Sequence, residues 1–107
     1  MSEADDALAL DRLVHEPHRL AILTILSSTE GADFVFLQRA LKLTNGNLSS
    51  HLTKLEAGGL IEQEKSFVGK KPHTRVAITD QGRRRVGTHW DQLDRLKNLA
   101  LRPDSPH

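Results

Sequence analysis

The 107-residue sequence contains no cysteine. Disulfide bonds, thiolate metal sites and thiol-based redox sensing are therefore excluded from the functions that this chain can have. The absence also fits a reducing compartment.

Long apolar runs are absent as well. No stretch approaches the roughly 20 apolar residues that a helix needs to cross a bilayer. Residues 1–10 are acidic, whereas a signal peptide begins with basic residues. We therefore expect a cytoplasmic protein that does not contact a membrane.

The sequence lacks the common signatures of catalysis, namely a nucleophile beside a general base, a glycine-rich phosphate loop or a pair of acidic motifs. An enzyme is not expected. Hydrophobic residues make up 37% of the chain and charged residues 27%, which is typical of an ordered globular protein. The length suits one domain over residues 1–107, because it is too short to bury two separate cores.

The net charge of +1 conceals an uneven distribution. Residues 1–16 carry five acids against one base, whereas residues 65–85 carry seven bases against one acid. A basic stretch of this kind is typical of a surface that binds phosphates. An ordinary solvated face is the alternative, since Lys and Arg are mostly exposed in any protein.

Helical periodicity marks the beginning of the chain. Apolar residues at positions 8, 10, 13 and 14 predict a short N-terminal helix over residues 5–15. Pro17 suits the first turn of a second helix, where its missing N–H costs nothing. This second helix is apolar over much of its surface and is therefore expected to be the most buried one.

A helix-turn-helix is predicted next. Asp33 is a typical N-cap for a third helix over Phe34–Leu41. Thr44 or Asn45 then caps a fourth helix that ends at the glycine pair 58–59. The short turn between the third and fourth helices is that of a helix-turn-helix.

After Leu60 the apolar period changes from helical to strand-like. Alternation over residues 61–68, a turn at 68–72 and a second run at 74–78 predict a hairpin. Thr79 suits the N-cap of a last helix over residues 80–101. The expected fold class is α+β, mainly α: a winged helix-turn-helix with a two- or three-stranded wing sheet and flanking N- and C-terminal helices.

Four segments resemble a known family. Residues 46–61 resemble the recognition-helix signature of MarR- and ArsR-type winged-helix regulators, and residues 65–72 resemble the wing of a compact winged-helix DNA-binding subgroup. Residues 13–23 are similar to the family's first core helices, and residues 78–83 to its junction between hairpin and last helix. The resemblance implies a homodimeric bacterial or archaeal transcription factor, most often a repressor, that binds an inverted-repeat operator in double-stranded DNA.

The fourth helix is the expected recognition helix. Leu48, Leu52 and Leu55 share one face, so the polar side chains of the opposite face point outward. An Asn amide can pair with adenine, Ser and Thr offer hydroxyl groups, and Lys suits guanine or a phosphate. The predicted DNA-binding residues of this helix are Asn45, Asn47, Ser49, Ser50, His51, Thr53 and Lys54. Thr44 and Asn45 could equally be helix caps without a DNA contact.

The hairpin is predicted to bind the minor groove or its phosphates. The residues expected to do so are Lys70, Lys71, His73 and Arg75. A basic tip that only keeps the protein soluble is the alternative.

The terminal helices carry more apolar residues than so small a core should need. They are therefore predicted to form a homodimer interface with an aromatic anchor. Its expected residues are Leu8, Leu10, Leu13, Val86, Trp90 and Leu93. The alternative is that both helices pack only onto their own domain.

Six histidines raise the question of a metal, because ArsR-type proteins are often metal sensors. However, Pro17 breaks the helical register between His15 and His18, and no second histidine follows His89 at a useful spacing. No metal and no cofactor are expected. A small-molecule effector has room between the terminal helices and the core, but no residue identifies one. The alternative function is a winged-helix module that binds protein and not DNA.

Overall fold

A computed structural model describes residues 10–101. The elements follow one another as α1 (Pro17–Ser27), β1 (Ala32–Asp33), α2 (Phe34–Leu41), α3 (Asn45–Ala57), β2 (Ile61–Val68), β3 (Lys71–Ile78) and α4 (Asp80–Ala100). The three strands form an antiparallel sheet in the order β1-β3-β2. The predicted winged helix-turn-helix of the mainly helical α+β class is confirmed. Within the described range, no helix is long and apolar enough to span a membrane.

The N-terminal segment departs from the helix predicted over residues 5–15. Residues 12–14 form a turn, in which the Asp11 carboxylate accepts hydrogen bonds from the amides of Leu13 (3.1 Å) and Val14 (3.3 Å). A carboxylate that binds the next free amides favours a turn over a continuing helix. The prediction is therefore wrong for residues 10–15, while residues 5–9, including Leu8, lie outside the described part of the chain.

Side-chain caps fix where three of the helices begin. The Glu16 carboxylate accepts the Arg19 amide at 2.8 Å, so α1 starts at Pro17. Thr44 Oγ1 accepts the Asn47 amide at 3.1 Å, and Thr79 Oγ1 accepts the Gly82 amide at 3.0 Å. Thr44 is therefore the cap of α3, and Asn45 is its first helical residue.

The core lies between α1, α3 and the sheet. The predicted inward face of α3 is confirmed, since Leu48, Leu52 and Leu55 are fully buried. They meet Leu23 and Leu26 of α1, together with side chains from the strands and from α4. Because these leucines fix the rotation of α3 about its axis, they also fix which of its side chains face solvent.

The hairpin is longer than predicted and its turn is tighter. Val68 pairs with Lys71, so Gly69 and Lys70 alone connect the strands. Gly69 has φ of 65°, a conformation that glycine adopts at little cost. At the base of the hairpin, Ala32 pairs with Val76. Ala32 belongs to the two-residue strand β1, which adds a third strand to the sheet.

The N-terminal half of α4 and the N-terminal segment are joined by two polar contacts. Arg85 forms a bidentate salt bridge with the Asp11 carboxylate, with distances of 2.8 and 2.9 Å. His89 is fully buried, and its Nε2 lies 3.1 Å from Nδ1 of His15. Among the described residues, His89 Nδ1 finds no hydrogen-bond partner. Burial lowers the pKa of His89, and the nearby His15 lowers it further.

Candidate nucleic-acid interface

The outer face of α3 is polar and accessible. Asn47, Ser50, Thr53 and Lys54 are all exposed and lie opposite the three buried leucines. These side chains are short except for Lys54, and an acidic residue enters the helix only at Glu56. Donors and acceptors of this kind can approach the edges of bases, because the major groove is wide enough to admit a helix.

A groove separates α3 from the hairpin. Its volume is about 330 Å³, and α3 lines it with Asn45, Ser49 and Thr53, which are spaced four residues apart on one stripe of the helix. The opposite wall includes Gln63, Lys65 and His73. The structure thus brings predicted residues of the helix and of the hairpin to one surface. Gln63 and Lys65 were not predicted to belong to it, although their alternation along β2 placed them on one face of that strand.

The opposite flank of α3 faces the beginning of α1. His51 is half-buried there, with its Nδ1 3.3 Å from the Arg19 guanidinium and 3.7 Å from the Glu16 carboxylate. Burial lowers the pKa of His51; the charges of Arg19 and Lys54 lower it as well, whereas the Glu16 carboxylate opposes the shift. His51, predicted as a DNA contact, therefore has partners within its own chain.

The predicted hairpin residues fall into two groups. Lys70 and Lys71 are exposed at the tip and form no salt bridge within residues 10–101. His73 Nε2 lies 3.0 Å from the Asp33 carboxylate, and the Arg75 guanidinium lies 3.7 Å from the same group. His73 and Arg75 thus share an acidic partner within the protein, whereas the two lysines have no acidic partner among the described residues.

The basic stretch over residues 65–85 is not one surface. Arg83 donates hydrogen bonds to the carbonyl oxygens of Ser27 (2.6 Å) and Thr29 (3.2 Å), which fastens α4 to the end of α1. Arg85 is paired with Asp11. Two of the three arginines at the start of α4, Arg83 and Arg85, therefore contribute to the fold, whereas Arg84 is exposed. Most of the free positive charge of this stretch lies on the lysines of the hairpin.

The predicted dimer residues are also divided. Val86 is only 3% exposed and belongs to the core, and Leu13 packs against that core. These two residues follow the alternative in which the terminal segments cover their own domain. Trp90 is 47% exposed, and its Nε1 donates a hydrogen bond to Thr24 Oγ1 at 3.2 Å. Leu10 and Leu93 are half-buried.

Comparison with known proteins supports the fold. A transcriptional regulator homologue from Pyrococcus horikoshii has a similar structure, with a TM-score of 0.80 and 32% sequence identity over 92% of this chain and 96% of that one. A MarR-family transcriptional regulator from Silicibacter pomeroyi shares the fold, with a TM-score of 0.65, 23% identity and coverage of 97% of this chain and 69% of the other. An uncharacterised protein of Methanocaldococcus jannaschii is 42% identical over 65 residues, which is 61% of this chain and 71% of that protein.

The family assignment rests on the same region that forms the helices and the hairpin. The model of the winged helix DNA-binding domain matches residues 18–97, which extend from the first turn of α1 nearly to the end of α4. The chain belongs to the winged helix DNA-binding domain family.

Proposed function

We propose that this chain is a DNA-binding transcriptional regulator that represses transcription as a homodimer on an inverted-repeat operator. The recognition helix α3 enters the major groove, and the hairpin contacts the minor groove or its phosphates. The observation that carries the proposal is the exposed polar face of α3 opposite three fully buried leucines. Such a regulator acts in the cytoplasm by occupying DNA, which requires no catalytic group.

Four side chains of α3 have the proposed task of reading bases. The Asn47 amide suits adenine, and the Thr53 methyl group suits the methyl group of thymine. Ser50 adds a hydroxyl group that accepts or donates. Lys54 binds a guanine or a phosphate at the edge of the groove.

The groove beside α3 suits a phosphate backbone. Asn45 and Ser49 point into it from the helix, and Lys65 adds a positive charge from the hairpin. A DNA strand that borders the major groove passes along the flank of a recognition helix, where polar groups hold its phosphates. Lys70 and Lys71 extend this contact beyond the groove to the next segment of backbone.

The proposed dimer interface is narrower than the sequence indicates. Since Val86 and Leu13 are occupied in the core, it centres on Trp90, Leu93 and Leu10. The 21 residues of α4 span about 31 Å, which leaves a long helix for a second copy to pack against. A two-fold axis would set the two α3 helices about one turn of duplex apart, roughly 34 Å.

The test begins with selection of genomic DNA fragments by the purified protein, followed by affinity measurements on the selected duplex. Thr53→Ala is expected to weaken binding about tenfold or more, because each of two half-sites loses roughly 1 kcal/mol. The matched control Thr88→Ala removes an exposed threonine from α4 and is expected to leave affinity unchanged.

Two results would contradict the proposal. Equal affinities of the two threonine variants for the selected duplex would show that α3 does not contact the DNA. Failure to retard any duplex, even at low salt, would reject DNA binding and favour the protein-interaction module.

A further inference from the structure

Three side chains of metal-ligating type meet where the start of α1 touches the flank of α3. His18 Nδ1 lies 3.2 Å from Glu16 Oε1, and His51 Nδ1 lies 3.7 Å from Glu16 Oε2. The ligand atoms of these three residues all lie within 4.8 Å of one another. Ligands around tetrahedral zinc lie roughly 3.3 Å apart, because Zn–N and Zn–O bonds measure about 2.0–2.2 Å. The cluster is therefore already close to the spacing that a metal ion requires.

Two of the three ligands are held in place by the surrounding structure. The Glu16 carboxylate is fixed by the cap of α1, since Oε2 accepts the Arg19 amide while Oε1 faces His18. His51 is carried by the middle of α3, whose rotation is set by the buried leucines. The His18 side chain is 47% exposed, which leaves an open path from solvent. Two imidazoles and a carboxylate form an open three-ligand set with a fourth position free for water.

The tautomer of His51 is also suitable. The Arg19 guanidinium, which can only donate a hydrogen bond, lies 3.3 Å from His51 Nδ1 and therefore favours the tautomer with a lone pair on this nitrogen. A lone pair at that position is what a metal ion requires. Arg19 can leave His51 and remain anchored, because its Nε donates a separate hydrogen bond to the Leu13 carbonyl oxygen at 2.7 Å.

We propose that Glu16, His18 and His51 bind a divalent transition-metal ion of the zinc class, and that the bound ion strengthens DNA binding. The ion cross-links the start of α1 to the recognition helix and adds positive charge beside its outer face. The second part rests on the proposed function, whereas metal binding itself does not. Sequence spacing does not reveal this site, because His51 lies 33 positions beyond His18.

Metal binding is measured first, without DNA. Protein freed of metal by a chelator is titrated with Co²⁺, whose visible absorption reports tetrahedral coordination, and Zn²⁺ is then added in competition. We expect one site per chain and displacement of Co²⁺ by Zn²⁺. Glu16→Gln and His51→Gln are each expected to lower the affinity at least tenfold, whereas His73→Gln, outside the cluster, leaves it unchanged.

Glu16→Gln is the more informative variant, because its amide oxygen can still cap α1 while the carboxylate ligand is lost. An unchanged circular dichroism spectrum establishes that it is folded. Absence of the cobalt spectrum in the wild type, or its persistence in both cluster variants, would overturn the site.

The effect on DNA is measured second, as affinity for the selected duplex with Zn²⁺ and with chelator. A tightening of about fivefold or more is expected in the wild type and none in Glu16→Gln. Metal binding without this change would overturn the coupling alone. A protein that binds Co²⁺ and no DNA in either state would contradict the proposed function and leave the metal site standing.

Discussion

Replacing Gly82 by alanine tests how α4 is docked on the rest of the fold. Gly82 is buried in the first turn of α4, where an added Cβ would overlap the Leu60 carbonyl oxygen and lie 2.8 Å from Ile78 Cγ1. The carbonyl group cannot move aside freely, because it accepts a hydrogen bond from the Thr79 amide at 3.0 Å. Alanine at this position therefore forces the start of α4 away from the hairpin.

Opposing effects decide the size of the change. Alanine favours the helix over glycine by about 1 kcal/mol. Against this, overpacking of a tight contact costs about 1–3 kcal/mol. Weakening the Thr79–Leu60 hydrogen bond and the Thr79 cap costs about 1 kcal/mol more. We expect a net destabilisation of about 2 kcal/mol, equivalent to a fall in Tm of about 8–16 °C.

Gly87→Ala is the matched control. Gly87 lies in the same helix, is exposed, and its added Cβ would meet nothing within 4 Å. This variant is expected to raise stability by up to about 1 kcal/mol, so the two substitutions should act in opposite directions. Urea unfolding is followed by far-ultraviolet circular dichroism and by the fluorescence of Trp90, the only tryptophan. Shifts of the same sign and size in both variants would refute the described docking of α4.

Three further predictions concern charge and assembly. The pKa of His89 is lowered in the folded state, so the unfolded chain binds the proton more tightly. As the pH is lowered below 6.5, the free energy of unfolding should therefore decrease by up to about 1.4 kcal/mol per pH unit. His89→Gln should flatten this dependence between pH 7 and 5.5, and an unaltered profile would exclude His89 as its source. The double substitution Lys70→Ala and Lys71→Ala should reduce the magnitude of the slope of log affinity against log salt concentration by about 3–4 in a dimer, whereas Lys97→Ala should leave the slope unchanged. Equal slopes for these variants would show that the hairpin tip does not contact DNA. Trp90→Ala should dissociate the proposed dimer, which light scattering measures as a fall in mass. A dimer of undiminished stability would show that the interface lies elsewhere.

Local signals in the sequence predict the elements of the fold well. The predicted bounds of α2 (Phe34–Leu41) and the predicted start of α1 at Pro17 agree with the structure, because periodicity and caps act over only a few residues. The prediction of an N-terminal helix is wrong for a local reason too, since the Asp11 carboxylate accepts hydrogen bonds from the amides that a helix would otherwise use. A strand as short as β1 carries no periodicity that sequence inspection could detect.

The sequence does not predict which residues the charged side chains contact. Helical spacing placed His51 and the outer face of α3 correctly with respect to the core, but it could not indicate that Glu16 and Arg19 lie beside that histidine. Asp33 suits a helix cap by position, yet its carboxylate binds His73, 40 residues away in sequence. Contacts of this kind depend on tertiary packing, so residue spacing alone does not reveal them.

The short strand β1 has a mechanical consequence for recognition. It pairs the root of the hairpin with the two residues immediately before α2, so the hairpin is tied at its base to the helix-turn-helix. Within one protomer, the hairpin would therefore keep a fixed position relative to α3, and the proposed contacts to the major and minor grooves would keep a fixed spacing along the duplex. A duplex of different groove width would have to bend to satisfy both contacts, since the protein cannot adjust one without the other. Sequences that deform easily would then be favoured even at positions that no side chain touches.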